Sequence, residues 1–364
     1  MRTTRRLSCA VLPLLVAAGI ATAPSASADP APPVIGPAAG SSVPQPGEDA
    51  EVTFASGDVT LYGTLRTPVR PRSGVAALLL PGSGPTDRNG NQPGVPANTL
   101  GRIADDLAEQ GIPSLRFDKF GSGATGLAGL PQNRLVDFGF TDQVTHAAAA
   151  ATLLSDRTGV PVDRLTVIGH SEGGLTALAL ADRGIGHGGV GLVEPLPMRY
   201  LDLLTAQLNR QLDAAVQDGR LAAADAETSR ETLRTSVRSL RETGKLPARP
   251  DPLLASIGLV PANATFLAEA DALDPVRLAD EIPATTPVLL TCSDKDLNVS
   301  CDQVGPLRDA LDHTALRFAH LANANHLLGE LGPFPPGRLD VAVPLPESVE
   351  FGTALREWSA RLGG

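Results

Sequence analysis

The segment VIGHSEGG, residues 167–174, places a serine between two glycines just where an apolar run ends. Gly169, Ser171 and Gly173 match the pattern G-x-S-x-G, which forms a tight turn between a strand and a helix. Side chains flanking such a turn would clash, so glycine is needed on both sides. The serine hydroxyl then stands clear at a helix N-terminus, which favours negative charge. This context predicts a nucleophilic serine, and the alternative is an ordinary surface turn.

A serine nucleophile needs a base and a group that orients the base. In this architecture the acid and then the histidine follow the serine along the chain. His326 lies in ANANHLLG, a loop of small polar residues after the last predicted strand, and is predicted to be the base. The side chain of His170 is expected to point away from the hydroxyl. The other histidines lie in helices, in a strand or too early in the chain: His146, His187, His313 and His320.

The acid is expected in the loop after the penultimate strand, where TCSDKDLNVS offers two aspartates. Asp296 is predicted to be the acid because it lies four residues beyond the end of the predicted strand. Asp294 is the alternative. A buried carboxylate at this position would fix the imidazole tautomer and stabilise the imidazolium.

An oxyanion that develops at this site requires backbone N–H donors. One predicted donor is the N–H of Glu172, directly after the serine. The other is the N–H of Ser83, in the glycine-containing loop PGSGPTDRNGN after the first buried strand. The alternative for this loop is a glycine-rich turn with no donor role.

Alternating strand and helix patterns are expected to position these groups. A hairpin pattern begins at residue 51, and VAALLLPG (75–82) is typical of a strand buried on both faces. Predicted helices at 98–111, 134–156 and 172–184 alternate with further apolar strand patterns. After residue 281, strands at 287–292 and 315–321 precede a last helix at about 346–361. The sequence therefore predicts a mostly parallel sheet with helices on both faces.

The alternation stops at 196–280, where no strand pattern is visible. Leucines at 201, 204, 208 and 212 lie on one stripe of a predicted helix, and a charged helix follows. This region is predicted to be a helical cap over one end of the sheet, inserted between core segments 49–195 and 281–364. The alternative is a helical hairpin with no role at the site. The leucine stripe is expected to line an acyl pocket.

The N-terminus has the pattern of a secretory signal peptide at residues 1–28. Three arginines precede a 14-residue apolar run that is too short to cross a bilayer, and ASA stands at the expected cleavage site. Residues 29–48 are rich in proline, alanine and serine and are predicted to be a flexible leader. The sequence thus predicts a secreted or cell-envelope protein.

The net charge bears on the partners of the protein, and the remaining cysteines bear on its compartment. Removing residues 1–28 with their three arginines changes the formal net charge from −10 to −13, which argues against nucleic-acid and anionic-membrane partners. Cys292 and Cys301 are then the only cysteines, and an oxidising compartment predicts a disulfide between them. This bridge would enclose the predicted acid loop and hold Asp296 in place.

Two further motifs are interpreted as coincidental. GSGATG (121–126) matches a dinucleotide-binding pattern, but loop residues follow it where a helix is required. Asp294, Asp296 and Asn298 match the start of a calcium loop, but Val299 and Gly305 occupy the positions that need glycine and glutamate. No histidine and glutamate cluster has zinc spacing. No metal or cofactor is therefore expected.

Four motifs together resemble the α/β-hydrolase superfamily. More narrowly, the chain is similar to bacterial serine esterases that carry GSGPTDRNGN at the oxyanion loop, R-x-D-K-x-G-x-G after the next strand, GHSEGG at the serine and D-K-D-x-x-V at the acid. Here these motifs occupy 82–91, 116–123, 169–174 and 294–299, and the resemblance covers about 75–330. Phe120 and Pro81 depart from the pattern, since relatives often have arginine and histidine there.

The resemblance implies an α/β-hydrolase fold with an eight-stranded sheet and a helical cap. It also implies hydrolysis of carboxylic esters without a cofactor. By position it assigns Ser171 as nucleophile, Asp296 as acid and His326 as base. The expected substrate is a small ester with a short or medium acyl group. A peptidase or an acyltransferase would use the same three residues, and a non-catalytic binding protein is the remaining alternative.

Overall fold

The computed structural model describes residues 47–128, 137–337 and 339–363. The predicted signal peptide and all but the last two residues of the predicted leader lie outside these ranges. Those last two residues, Gly47 and Glu48, begin the first strand. Within the described ranges, no helix combines the length and the apolar character needed to span a bilayer.

Eight strands of the described residues form a single sheet. They are β1 Gly47–Ser56, β2 Val59–Pro68, β3 Ala77–Leu80, β4 Ser114–Phe117, β5 Thr166–His170, β6 Gly189–Val193, β7 Pro287–Ser293 and β8 Ala315–Leu321. Their order across the sheet is β1-β2-β4-β3-β5-β6-β7-β8. Strand β1 pairs antiparallel with β2, and β2 pairs antiparallel with β4, while every later pairing is parallel. The mostly parallel eight-stranded sheet is as predicted.

Helices cover both faces of this sheet because its central strands are apolar on both sides. In β3, Leu78 packs into one hydrophobic cluster and its neighbour Leu79 into the other. The helices around the strands are α1 Thr99–Glu109, α2 Phe140–Thr158, α3 Glu172–Asp182, α9 Cys301–Ala310 and α10 Val349–Ser359. Helices α2 and α3 contribute to the first cluster, and α1 and α10 to the second.

The boundaries of two helices differ from the prediction for local reasons. Helix α2 begins at Phe140 and ends where Gly159 adopts a left-handed conformation with φ 72°. Helix α10 begins only after Ser348, whose side chain accepts a hydrogen bond from the N–H of Phe351. The Ser348 side chain thus satisfies an N–H group that has no partner within the helix.

Between β6 and β7 the regular structure consists of five α-helices and one short 3₁₀ helix. Its helices are α4 Tyr200–Gln217, α5 Ala223–Thr243, α6 Pro252–Ser256, α7 Ala264–Ala272 and α8 Pro275–Asp280. The buried carboxylate of Asp271 on α7 accepts hydrogen bonds from Arg199, Arg241 and the N–H of Leu201. This carboxylate therefore ties three parts of the insertion together.

Contrary to the sequence expectation, the leucine stripe of α4 contributes no residue to the cleft that Ser171 lines. Its members are at most 3% exposed and belong to the first hydrophobic cluster: Leu201, Leu204, Leu208 and Leu212. The periodicity identified a buried helix face correctly. It did not specify the partner, and here the stripe packs into the protein's own core.

Candidate active site

Ser171 lies on a strained turn between β5 and α3. Its backbone has φ 54° and ψ −120°, which is unusual for a residue other than glycine. A Cβ atom at Gly169 would lie 2.0 Å from the carbonyl oxygen of Gly173, and one at Gly173 would lie 2.3 Å from that of Leu80. Both glycines are therefore required by direct steric contact, as the motif predicts.

Ser171, His326 and Asp296 are connected by hydrogen bonds. The Ser171 hydroxyl lies 3.0 Å from His326 Nε2, and His326 Nδ1 lies 2.6 Å from Asp296 Oδ2. All three residues are less than 9% exposed. A carboxylate at Nδ1 selects the tautomer that carries its proton there, which leaves Nε2 free to accept the serine proton.

His170 positions the loop that carries His326. Its Nε2 donates to the backbone carbonyl of His326 over 2.8 Å, so its ring is turned away from the Ser171 hydroxyl. Burial is the main cause that lowers the pKa of His170 to about 3, and the nearby His326 ring contributes to the same shift. His170 is therefore neutral at ordinary pH. The side-chain oxygen of Asn325 also accepts the N–H groups of Leu327 and Gly329.

The acid loop is fixed by hydrogen bonds to its own backbone and by a disulfide. Asp296 Oδ1 accepts the N–H groups of Asn298 and Val299 at 2.6 and 3.0 Å. The predicted disulfide is present, and it joins Cys292 to Cys301 with their Cα atoms 5.2 Å apart. It closes a short loop that contains Asp296.

The alternative acid, Asp294, points elsewhere. Its Oδ1 lies 2.7 Å from His320 Nε2, and both side chains are about half exposed. Asp294 thus has a different histidine partner at the surface. Of the two aspartates, only Asp296 contacts His326.

Glu194 is a second acidic group at the site that the sequence argument missed. It directly follows β6, has a positive φ of 45°, and is 1% exposed. Its Oε1 accepts a hydrogen bond from Thr291, and its carboxyl group contacts that of Asp296. Burial raises the pKa of Glu194 well above its usual range, and the Asp296 carboxylate raises it further. The protonated form of Glu194 is therefore favoured.

The loop that carries Ser83 approaches the serine closely. A Cβ atom at Gly82 would lie 3.2 Å from Ser171 Cβ, so a side chain there would crowd the nucleophile. The carbonyl of Ser83 accepts hydrogen bonds from Thr86 Oγ1 at 2.7 Å and Gln92 Nε2 at 2.9 Å. Ser83 and Ser171 line the same cleft.

Ion pairs hold the predicted oxyanion loop, residues 82–91, against the sheet. Arg88 donates to the Asp118 carboxylate through Nε and Nη2, and its own N–H donates there as well. Arg88 also reaches Glu51 on β1 over 2.6 Å. Arg116 donates to the side chain of Asn89 and to Asp49. The two motifs GSGPTDRNGN and R-x-D-K are therefore paired in space.

The glycine motif at 121–126 wraps the Asp118 carboxylate. The N–H of Ala124 donates to Asp118 Oδ2, and a Cβ atom at Gly123 would collide with that carboxyl group. The next described helix, α2, begins only at Phe140. These contacts give the motif a structural role around Asp118.

The cleft at Ser171 encloses about 280 Å³, including space open to solvent. Its lining combines small and uncharged side chains with the serine and the histidine. Apart from Ser171 and His326, the lining residues are Gly82, Ser83, Thr86, Gly90, Gln92, Val95, His170 and Leu327. The lining residues thus come from the oxyanion loop, the short segment after it, and the serine and histidine loops.

Metal-ligating side chains converge at one place in the described ranges, namely Cys292, Cys301 and His320. The two sulfur atoms are bonded to each other, so they are not free to bind a metal in this form. The calcium-like residues do not converge, because Asp296 faces His326 while Asp294 faces His320.

The structure brings Ser171, Asp296 and His326 together, and it adds Glu194 and a contact of His170 that the sequence argument missed. One signal for Glu194 was available, since an acidic residue directly follows a buried strand at the carboxyl edge of the sheet. His170 was visible as a neighbour of the serine, but its bond to a residue 156 positions away was not.

Solved structures with the same fold include an esterase and a putative hydrolase. An esterase from Pyrococcus furiosus, Pf2001, aligns with a TM-score of 0.51 at 16% identity, covering 90% of this chain and 96% of that one. A putative hydrolase from Agrobacterium vitis S4 gives 0.50 at 17% identity, covering 86% and 99%. DcsB, solved with a substrate analogue, gives 0.50 at 18% identity, covering 87% and 100%.

These likenesses confirm the predicted α/β-hydrolase fold. At such low identity they bear on the fold alone. No protein-family model matches the sequence, and no curated protein matches it.

Proposed function

We propose that this protein is a serine hydrolase that cleaves carboxylic esters through an acyl-enzyme. The observation that carries the proposal is the hydrogen-bonded series Ser171–His326–Asp296, with the serine on a strained turn at the start of α3. A strained, buried serine joined to a histidine and a carboxylate is the arrangement that activates a hydroxyl for acyl transfer.

The first half-reaction forms a covalent bond between Ser171 Oγ and the acyl carbonyl carbon. His326 Nε2 takes the hydroxyl proton during the attack and returns it to the leaving alkoxide, which departs as the alcohol. Asp296 stabilises the imidazolium that exists between these two transfers. Water then attacks the acyl-enzyme with His326 again as base, releasing the carboxylic acid and restoring Ser171.

The N–H groups of Ser83 and Glu172 are the proposed donors to the tetrahedral oxyanion. Glu172 is the first residue of α3, so its N–H has no partner within the helix. The close approach of Gly82 to Ser171 brings the N–H of Ser83 to the same region. Removing one such donor typically costs a factor of about 10²–10³ in kcat.

The small uncharged cleft favours esters with short, neutral acyl groups. Leu327 and Val95 supply apolar surface, and no Asp, Glu, Lys or Arg side chain lines the cleft among the described residues. We therefore expect acetate and butyrate esters to be better substrates than long-chain esters.

The decisive experiment compares wild type with Ser171→Ala on p-nitrophenyl esters of two to sixteen carbons, together with fluorophosphonate labelling. Wild type should be labelled and should turn over the short esters, and the variant should lose at least 10³-fold in kcat, since the nucleophile is removed. Equal turnover in both proteins would reject the mechanism.

Two alternatives use the same three residues. A peptidase would cleave p-nitroanilide peptides faster than esters of matched acyl group. An acyltransferase would be labelled by the fluorophosphonate but would release product rapidly only when an acceptor alcohol or amine is added. A binding protein would show neither labelling nor turnover.

We also propose that the protein is exported and that residues 1–28 are removed. The disulfide between Cys292 and Cys301 supports this proposal, because such bonds persist mainly in oxidising compartments. Mass spectrometry of the protein recovered outside the cytoplasm of an expressing bacterium should give an N-terminus at Asp29. An intact N-terminus there would contradict the proposal.

A further inference from the structure

Lys119 lies between Glu172 and the peptide that joins Gly82 to Ser83. The N–H groups of Ser83 and Glu172 are the two proposed donors to the oxyanion. The Nζ of Lys119 donates to the backbone carbonyl of Gly82 over 2.6 Å and lies 3.2 Å from Glu172 Oε1. The side chains of Lys119 and Glu172 are 7% and 0% exposed. Removing a cation from water costs free energy, so the contacts of the buried Lys119 ammonium must offset that cost.

The first contact sets the direction of the Ser83 N–H. The Gly82 carbonyl and the Ser83 N–H belong to one planar peptide, and no described peptide bond is cis. In a trans peptide these two groups point in opposite directions. By holding the carbonyl on one side, Lys119 fixes the N–H on the other.

The second contact holds the residue that carries the other donor. The Glu172 carboxylate accepts hydrogen bonds from Lys119 and Gln143 at Oε1 and from Tyr200 at Oε2, the last at 2.8 Å. These bonds anchor the first turn of α3, and with it the Glu172 N–H. Burial raises the pKa of Tyr200 well above its usual range, and the Glu172 carboxylate raises it further, so Tyr200 remains a donor.

We propose that Lys119 is a positioning residue that couples the two halves of the oxyanion hole. It touches neither the serine hydroxyl nor the base, and it acts through the Gly82–Ser83 peptide and through Glu172. This inference rests on the proposed function, since it concerns the oxyanion of that reaction. Lys119 should therefore affect the transition state and leave substrate binding almost unchanged.

The test measures the kinetics of Lys119→Met with p-nitrophenyl acetate and its inhibition by a trifluoromethyl ketone. The serine hydroxyl adds to the carbonyl carbon of this ketone, and the adduct carries a stable oxyanion. We expect kcat to fall at least tenfold with KM within twofold of wild type. The inhibition constant of the ketone should rise by the same factor as kcat/KM falls. Lys245→Met is the control, because it makes the same substitution at an exposed lysine and leaves the Gly82 carbonyl and Glu172 untouched. It should lose less than threefold in kcat.

The double variant Lys119→Met/Glu172→Gln removes both charges together and leaves no unpaired buried carboxylate. It should fold even if the single variant does not, as judged by circular dichroism, and should show the same loss in kcat and in ketone affinity. A folded variant with kcat within threefold of wild type, a rise in KM alone, or loss of folding in both variants would overturn the proposal. Failure of the proposed function is distinguishable, because wild type and Ser171→Ala would then be equally active.

Discussion

The two sides of the candidate active site are held in different ways. On the oxyanion side, residues 82–91 are fixed by ion pairs, chiefly between Arg88 and the buried carboxylate of Asp118. On the acid and base side, backbone hydrogen bonds to Asp296 and Asn325 and a disulfide fix the loops. Charge pairing thus positions the proposed electrophilic groups, whereas local caps and a covalent bond position the proposed base.

The pKa values of carboxyl groups on the two sides are shifted in opposite directions. A hydrogen bond from Arg88 lowers the pKa of Glu51 on the oxyanion side. Burial raises the pKa of Glu194, and it raises that of Glu347, in the segment after the base loop, to about 7. The oxyanion side should therefore weaken as the pH falls, and the base side as the pH rises.

The largest expected effect follows from breaking the charge pairing with Asp118→Ala. The variant leaves Arg88 buried without its main partner, so we expect the free energy of unfolding to fall by about 3–5 kcal/mol. Ester turnover should fall as well, because the oxyanion loop loses its anchor. Urea denaturation and p-nitrophenyl acetate assays measure both effects.

Asp213→Ala is the matched control, since it also removes a carboxylate from an arginine but at an exposed position beside Arg230. Exposed pairs contribute at most about 1 kcal/mol. Equal losses of stability in the two variants would show that burial of the Arg88 pair has no consequence.

The next effect tests the covalent restraint on the other side. Replacing both Cys292 and Cys301 with serine opens a short loop and should lower the free energy of unfolding by about 2–3 kcal/mol. Because Asp296 lies within the loop, kcat should fall several-fold. Thermal melts and kinetics of the double variant should match those of reduced wild type. Unchanged stability and kcat after complete reduction would contradict the role given to the bridge.

The smallest expected effect concerns Glu347, whose pKa is raised first by burial and then by the nearby Asp106. Its folded-state pKa lies above the ordinary value of 4.5, so the stability gained from protonation is complete below pH 4.5 and is lost as the pH rises through about 7. Glu347→Gln should therefore increase stability at pH 8 by roughly 1–2 kcal/mol, after allowance for solvent screening.

At pH 4.5 the same substitution should leave the free energy of unfolding almost unchanged. Glu242→Gln, on the exposed surface of α5, serves as the control and should change the free energy of unfolding by the same amount at both pH values. Thermal unfolding at pH 4.5 and pH 8 gives the comparison. A stabilisation of equal size at both pH values would show that ionisation of Glu347 is not its cause.

Much of the fold was predictable because the relevant signals are local. The run VAALLLPG identified β3, and ALRFAHL matched β8 residue for residue. The glycines beside Ser171 were predictable for a similar reason, since the clash at Gly169 involves a residue only four positions away. The chain order of serine, acid and histidine then narrowed six histidines to His326.

Long-range contacts were much less predictable. The leucine stripe on α4 indicated a buried face, but its burial in the protein's own core depends on how the helix lies against the sheet. The choice between Asp294 and Asp296 likewise depended on the direction of two neighbouring side chains. A shift of a residue or two in the loop would have exchanged them.

The sequence by itself determined the strand–turn–helix at Ser171 and the cysteines available for a bridge. It also determined the order in which the serine, the acid and the histidine follow the parallel strands along the chain. These depend on steric rules and apolar periodicity that act over a few residues. Only the tertiary structure decided that Lys119 joins Gly82 to Glu172, that His170 holds the His326 carbonyl, and that Glu194 contacts Asp296. Each of these contacts links residues from different strands or loops, and a buried polar group takes whichever partner the packed sheet brings within reach.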